Sequence, residues 1–233
     1  MSQGVSYKID IVFCVDVTGS MQPFIDSVKE HILSIPGELL YKLSAKGKTA
    51  DQIRVRVVAF GDCKTDTNAI NASPFFTVLP AGQNSEFDCF VSALRAHGGG
   101  EPKSGLEALS VAMCSDWVLD GDHQRHIIFL FTDGSAHSLE DRVGKIPSAF
   151  ASQIPASIDE LTDGWEGGGQ SAGGFPPTIG LRARRLVLLA PEIYPWPTIG
   201  DGWPNSVFLP SQAADGLAEV EYDTILEVLS NAV

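Results

Sequence analysis

Long apolar runs are missing from this 233-residue chain: none approaches the roughly 20 residues that a membrane-spanning helix needs, so no bilayer span is expected. Basic residues are scarce as well. With 16 Lys and Arg against 29 Asp and Glu the formal charge is −13, which disfavours nucleic-acid phosphate or an anionic membrane as partner. A basic protein surface is an easier match. Cysteine is limited to Cys14, Cys63, Cys89 and Cys114, with no Cys-x-x-Cys pair, so free thiols are expected rather than a zinc site or a disulfide framework. The first ten residues lack the charged start and apolar core of a secretory signal, and a cytoplasmic location is the expectation. Ser135 and His137 stand close together, but Ser135 is not set in a Gly-x-Ser-x-Gly elbow, and no His-Glu-x-x-His zinc motif occurs. Internal repeats are absent too.

What is present suffices for one sizeable core: 44% of residues are hydrophobic, and the whole of 1–233 reads as a single domain. β-Branched apolar runs at 9–16, 53–60, 126–133 and 184–190 predict buried strands, with shorter ones at 75–79 and 206–209. The 75–79 strand lies between Pro74 and Pro80, which suits a sheet edge. Helical spacing runs from Met21 to Ile35, where Pro36-Gly37 interrupts it, and a further turn or two is expected at Leu39, Leu40 and Leu43. Other helices are expected over Phe87–Leu94, after Gly98–Gly100 with Leu106, Leu109, Met113 and Trp117 inward, over 155–166, and over 221–233. Residues 61–73 and 167–180 read as loops, and the segment with Trp196 and Trp203 as an aromatic loop plugging one end of the core. Lys46-Gly47-Lys48-Thr49 resembles the end of a phosphate loop. It lacks the preceding strand and has Lys42 where the pattern needs Gly, so it reads as linker.

This order gives an α/β sandwich with a mostly parallel sheet, in which ligands bind beyond the carboxyl ends of strands. Asp16 and Asp133 fall there. Asp16, Thr18 and Ser20 alternate with Val17 and Gly19, so their oxygens can converge on one point, and hard oxygens suit Mg²⁺ or Mn²⁺. With one charge among three ligands, such an ion would keep an open position for a partner's carboxylate. The plainer reading is that Ser20 caps the following helix while Asp16 makes a turn.

Asp16-Val17-Thr18-Gly19-Ser20 resembles the metal-ion-dependent adhesion site of von Willebrand factor A (vWA) domains, whose usual pattern is Asp-x-Ser-x-Ser. Gly98–Leu109 resembles the second loop of that site. Where the family has a Thr, this chain offers Ser104 or, as an acidic substitute, Glu101. Thr132-Asp133-Gly134 resembles the third loop, whose Asp holds the ion through water. The resemblance implies a three-layer, Rossmann-like vWA sandwich with one short antiparallel edge strand and helices on both faces. It implies a metal set of Asp16, Thr18, Ser20, Ser104, Glu101 and Asp133 around Mg²⁺ or Mn²⁺, and a partner Asp or Glu in the open position. The chain is most similar to bacterial stand-alone vWA proteins of the TerY-like group. That likeness implies a non-enzymatic adaptor beside kinase, phosphatase or AAA ATPase components in stress-response, signalling or phage-defence systems.

Two other readings stand beside it. One is a Mg²⁺-dependent phosphohydrolase or phosphotransferase with Asp16 as nucleophile. Against it, position 18 is Thr where such enzymes carry a second Asp, and the sequence shows no lysine placed to neutralise a phosphoryl group. The other is a structural vWA scaffold with a degenerate metal site.

Overall fold

The computed structural model describes residues 7–79, 84–141, 146–167 and 174–210, together with Glu227. All the described strands join one sheet. The strands are β1 (Tyr7–Asp16), β2 (Gln52–Phe60), β3 (Ile70–Ala72), β4 (Phe76–Leu79), β5 (His123–Phe131), β6 (Arg184–Ala190) and β7 (Ser206–Pro210). Their order across the sheet is β3-β2-β1-β5-β6-β7, with β4 also on β2. β2, β1, β5, β6 and β7 are mutually parallel, whereas β3 and β4 run antiparallel to β2 on its outer side. The antiparallel edge thus holds two short strands where the sequence pattern suggested one. β3 escapes periodicity because it is three residues inside a polar stretch.

The central strands β1, β5 and β6 are buried on both faces along most of their length, which is why they read as continuous apolar runs rather than alternating ones. Ile9, Ile11, Phe13 and Val15 of β1 face one core layer with Ile127, Phe129 and Phe131 of β5. That layer is covered by α1 (Ile25–Ala45) and α2 (Ser85–Ala93). Val12 and Cys14 face the opposite layer with Ile128 and Leu130, beneath α3 (Gly105–Met113), α4 (Ile158–Glu166) and α5 (Trp196–Gly202). The mixed α/β sandwich expected from the sequence is therefore present in its general form.

Three elements differ from their sequence reading. α1 continues through Pro36, which lies buried inside it. A mid-helix proline removes one hydrogen bond and crowds the preceding turn, costing about 3 kcal/mol. Val28, Ile32, Ile35, Leu39 and Leu43 are all buried on the sheet, and at about 1.5–3 kcal/mol each they outweigh that loss. Lys46-Gly47 then closes the helix, with Lys46 and Lys48 N–H groups donating to Leu43 O, so the phosphate-loop likeness is a helix end. α3 is buried on every side rather than along a stripe. Within the aromatic loop α5 forms, and its Trp196 is fully buried while Trp203 stacks on Trp165 at 5.3 Å between ring centroids. The cysteines are free, Cys14 and Cys63 being buried and Cys89 exposed. The closing helix expected over 221–233 lies outside the described residues apart from Glu227, which is helical. Among the described residues no helix is long and apolar enough to cross a membrane.

Candidate functional site

β1 and β5 are adjacent and parallel, and both end at the same rim. Asp16 closes β1 and is fully buried; Asp133 lies two residues past β5 and is half-buried. Three loops meet there. The β1 loop turns through a short 3-10 segment, Gly19–Met21, before α1 begins. It is tied to the loop before α3 by two backbone bonds, His97 N to Val17 O at 2.8 Å and Gly19 N to Gly98 O at 3.0 Å. Gly99 has φ +77°, and a Cβ on it would meet the Thr18 side chain at 2.5 Å, so glycine is what lets this loop lie on the first one.

The loop before α3 is tied to the one after β5 in turn. Lys103 N donates to Ser135 O at 2.9 Å, and His137 N donates to Lys103 O at 2.8 Å. Trp196 Nε1 donates to Gly134 O at 2.8 Å and braces the third loop from α5. Backbone bonds and one buried indole thus hold the three loops together beneath their polar side chains.

At the centre, Asp16 Oδ1 accepts from Thr18 N at 2.8 Å and from Thr18 Oγ1 at 2.7 Å, and its Oδ2 accepts from Thr132 Oγ1 at 2.6 Å. Ser20 Oγ lies 3.2 Å from Thr18 Oγ1 and donates to Asp133 Oδ1 at 3.1 Å. Four of the six residues expected from the sequence, Asp16, Thr18, Ser20 and Asp133, are thereby brought together. Glu101 and Ser104 are turned elsewhere. The Glu101 carboxylate accepts from Ser135 N at 2.6 Å and from Ser135 Oγ at 2.5 Å. Ser104 Oγ accepts from Cys63 N at 2.9 Å, holding the loop after β2 against the start of α3.

A residue that sequence reasoning did not place fills the middle of the ring. Lys103 is buried, and its Nζ lies 3.0 Å from Asp16 Oδ2, 2.8 Å from Ser20 Oγ, and in direct contact with Asp133 Oδ1. Burial works against the Lys103 charge, but the attraction of Asp16 and the contact with Asp133 outweigh it, so its pKa is raised. Burial pushes Asp16 up as well, against the opposing pull of Lys103 and the bonds from Thr132 and Thr18. These two directions compete, since a raised carboxyl favours the acid and a raised amine the ammonium. We take the pair as ionised, because Asp16 accepts three hydrogen bonds besides its contact with an ammonium that a second carboxylate shares.

Beside the ring, His137 Nε2 lies 2.9 Å from Asp62 Oδ1, and both residues are buried. The Lys103–His137 backbone bond draws His137 inward, away from its sequence neighbour Ser135. Despite burial, the bonds from Lys64 N–H, His137 and Thr65 hold Asp62 below the usual carboxylate range. Ser135 faces Glu101 while His137 faces Asp62, so the two do not act as a pair.

Chemically, the ring is an ion-pair centre of two carboxylates, two hydroxyls and one ammonium. Hard oxygens of this kind suit Mg²⁺ or Mn²⁺, but the position between them is held by Lys103, and the donor set as folded does not accommodate an ion. Among the described residues no three His, Cys, Asp or Glu side chains gather as a metal cluster. Lys103 also supplies the lysine that the phosphotransfer reading lacked. Asp16, however, is fully buried with both oxygens engaged, so no line of attack on a substrate is open.

No protein-family profile matches the chain, and no curated protein does. Solved structures do. The pilus adhesin SpaC from Lactobacillus rhamnosus GG matches over 98% of this chain with a TM-score of 0.56 at 16% identity. Proximal thread matrix protein 1 of the mussel byssus matches over 98% of this chain with a TM-score of 0.48 at 12% identity. The chain spans 31% of the adhesin and 48% of the byssus protein. At such identities the adhesin likeness bears on the fold alone.

Proposed function

We propose that the chain is a vWA-type protein-interaction module that engages its partner through the three loops at the carboxyl end of β1 and β5. One observation carries this reading: Asp16, Thr18, Ser20 and Asp133, from two adjacent parallel strand ends, converge with Lys103 on one ring whose rim includes exposed Ser20 and half-buried Asp133. In open parallel sheets this is where ligands bind. The partner chemistry follows from charge. Two carboxylates share one ammonium, the chain as a whole carries −13, and a basic partner surface fits this face. A partner Asp or Glu reaching Mg²⁺ or Mn²⁺, the arrangement implied by the vWA resemblance, would require Lys103 to leave the ring. Kinase, phosphatase or AAA ATPase components remain the expected kinds of assembly.

Affinity capture with three chains tests this: wild type, Ser20→Arg at the rim, and Asp120→Ala at the opposite end of the sheet. We expect a protein retained by wild type and Asp120→Ala and lost with Ser20→Arg. Identical capture by all three would overturn the assignment of this face.

A further inference from the structure

The structure assigns to Lys103 the place that a divalent ion would take: its ammonium is a resident cation that closes the ring and makes the site metal-independent. The inference rests on the proposed interaction face, but its test reads ion binding rather than partner capture, so either can fail without the other.

Three observations converge on it. The first is saturation. An ammonium has three N–H donors, and the Lys103 donors meet three oxygens, Asp16 Oδ2, Ser20 Oγ and Asp133 Oδ1. Nothing is left over for a further ligand. The second is spacing. Mg²⁺ needs oxygens at about 2.0–2.1 Å in a near-octahedral set, whereas two of the three Lys103 Nζ contacts, 2.8 Å to Ser20 Oγ and 3.0 Å to Asp16 Oδ2, have the separations of N–H···O bonds. The third is the mould around the stem. Lys103 is held by backbone bonds on both its N–H and its C=O, and a Cβ on Gly134 would meet first the Glu101 carboxylate and then Lys103 Cε at 2.7 Å. The third loop therefore leaves room for both side chains, and the backbone bonds fix where the lysine stem starts.

The consequence concerns the type of partner. A divalent ion would balance the two carboxylates and keep a vacant position for a third. Lys103 leaves the ring one negative charge in excess and offers a carboxylate no position. A metal-filled version of this site selects acidic ligands; the lysine-filled one selects against them.

Titration with Mn²⁺ and Mg²⁺, read by calorimetry and by the free-Mn²⁺ resonance signal, tests the inference on the whole chain. We expect wild type to show no saturable binding up to about 10 mM, beyond the weakest divalent sites that proteins commonly use. Lys103→Ala should gain saturable Mn²⁺ binding at least about tenfold tighter than any residual wild-type affinity. Mg²⁺ should raise the melting temperature of that variant and leave wild type unmoved. Should Lys103→Ala fail to fold, Lys103→Met keeps the stem without the charge, and the wild-type titration still decides alone. Saturable wild-type binding that Asp16→Asn abolishes would overturn the inference, because the ion would then have displaced the lysine. A folded Lys103→Ala that binds no ion would overturn it equally, since Lys103 would then stand in no ion's place.

Discussion

β1 carries two fully buried carboxylates six residues apart on the same face of the sheet, and they are compensated in opposite ways. Asp10 is matched one to one. Its Oδ1 and Oδ2 accept from Arg54 Nε at 2.8 Å and Nη2 at 2.6 Å, and Val118 N adds a bond at 2.6 Å. The guanidinium lies over the Phe75 ring at 4.5 Å and stays partly exposed. Asp16 instead shares a single ammonium with Asp133, and the ring opens at Ser20. A buried carboxylate is therefore not in itself a sign of function. What separates the two is surplus charge.

The same residue type allows the comparison to be broken directly. Asp10→Asn would leave Arg54 facing a neutral amide, and removing one partner of a buried, bidentate pair costs about 3 kcal/mol or more. Denaturant unfolding should show that loss at neutral pH. A loss near zero would mean that solvent, not Asp10, compensates Arg54, and the contrast with Asp16 would collapse.

Glu107 extends the series to a carboxylate that makes no ion pair among the described residues, with Lys64 acting on it only weakly. It sits buried on α3, its Oε2 has no hydrogen-bond partner, and burial pushes its pKa up to about 7. For an acid whose folded pKa is raised, the folded state holds the proton more tightly than the unfolded one. Its favourable contribution is therefore present at low pH and is lost as pH rises from the ordinary value of 4.5 towards about 7. Glu107→Gln removes that penalty. It should stabilise the protein by about 2–3 kcal/mol at pH 8 and by little at pH 4, seen as a flatter plot of unfolding free energy against pH. A parallel shift at both pH values would show that Glu107 does not titrate in this range.

How much of this was legible in the sequence depends on what fixes each residue. Asp16 and Asp133 were visible because each ends an apolar strand run, and the strand itself places them. Lys103 was not. After Glu101-Pro102 in a glycine-rich loop it reads as a solvated lysine, and only its backbone pairing with Ser135 and His137 turns it inward. The same pairing redirects His137 to Asp62 and brings Ser135 to Glu101. Asp10 was hidden for the opposite reason: within Ile9–Val15 a single carboxylate looks like an interruption of a strand, and Arg54, its partner, belongs to the neighbouring strand. Periodicity within one segment reports burial. It carries no information about which loop closes on which.

The smallest expected effect sharpens the comparison most. Asp16→Asn keeps shape, and its one amide oxygen can still accept from Thr18 or from Thr132, though not from both. Lys103 retains Asp133 and Ser20, and the ring moves from one negative charge in excess to balance. Burial already works against the Asp16 charge, so losing that charge removes a cost along with an attraction. The net loss should be about 1–2 kcal/mol, the scale of one hydrogen bond lost, and smaller than for Asp10→Asn in the same denaturant series. A loss equal to that of Asp10→Asn would make the ring another closed structural pair. A small loss with weakened partner capture would separate the two carboxylates by role, since only at Asp16 does surplus charge remain for something outside the chain to meet.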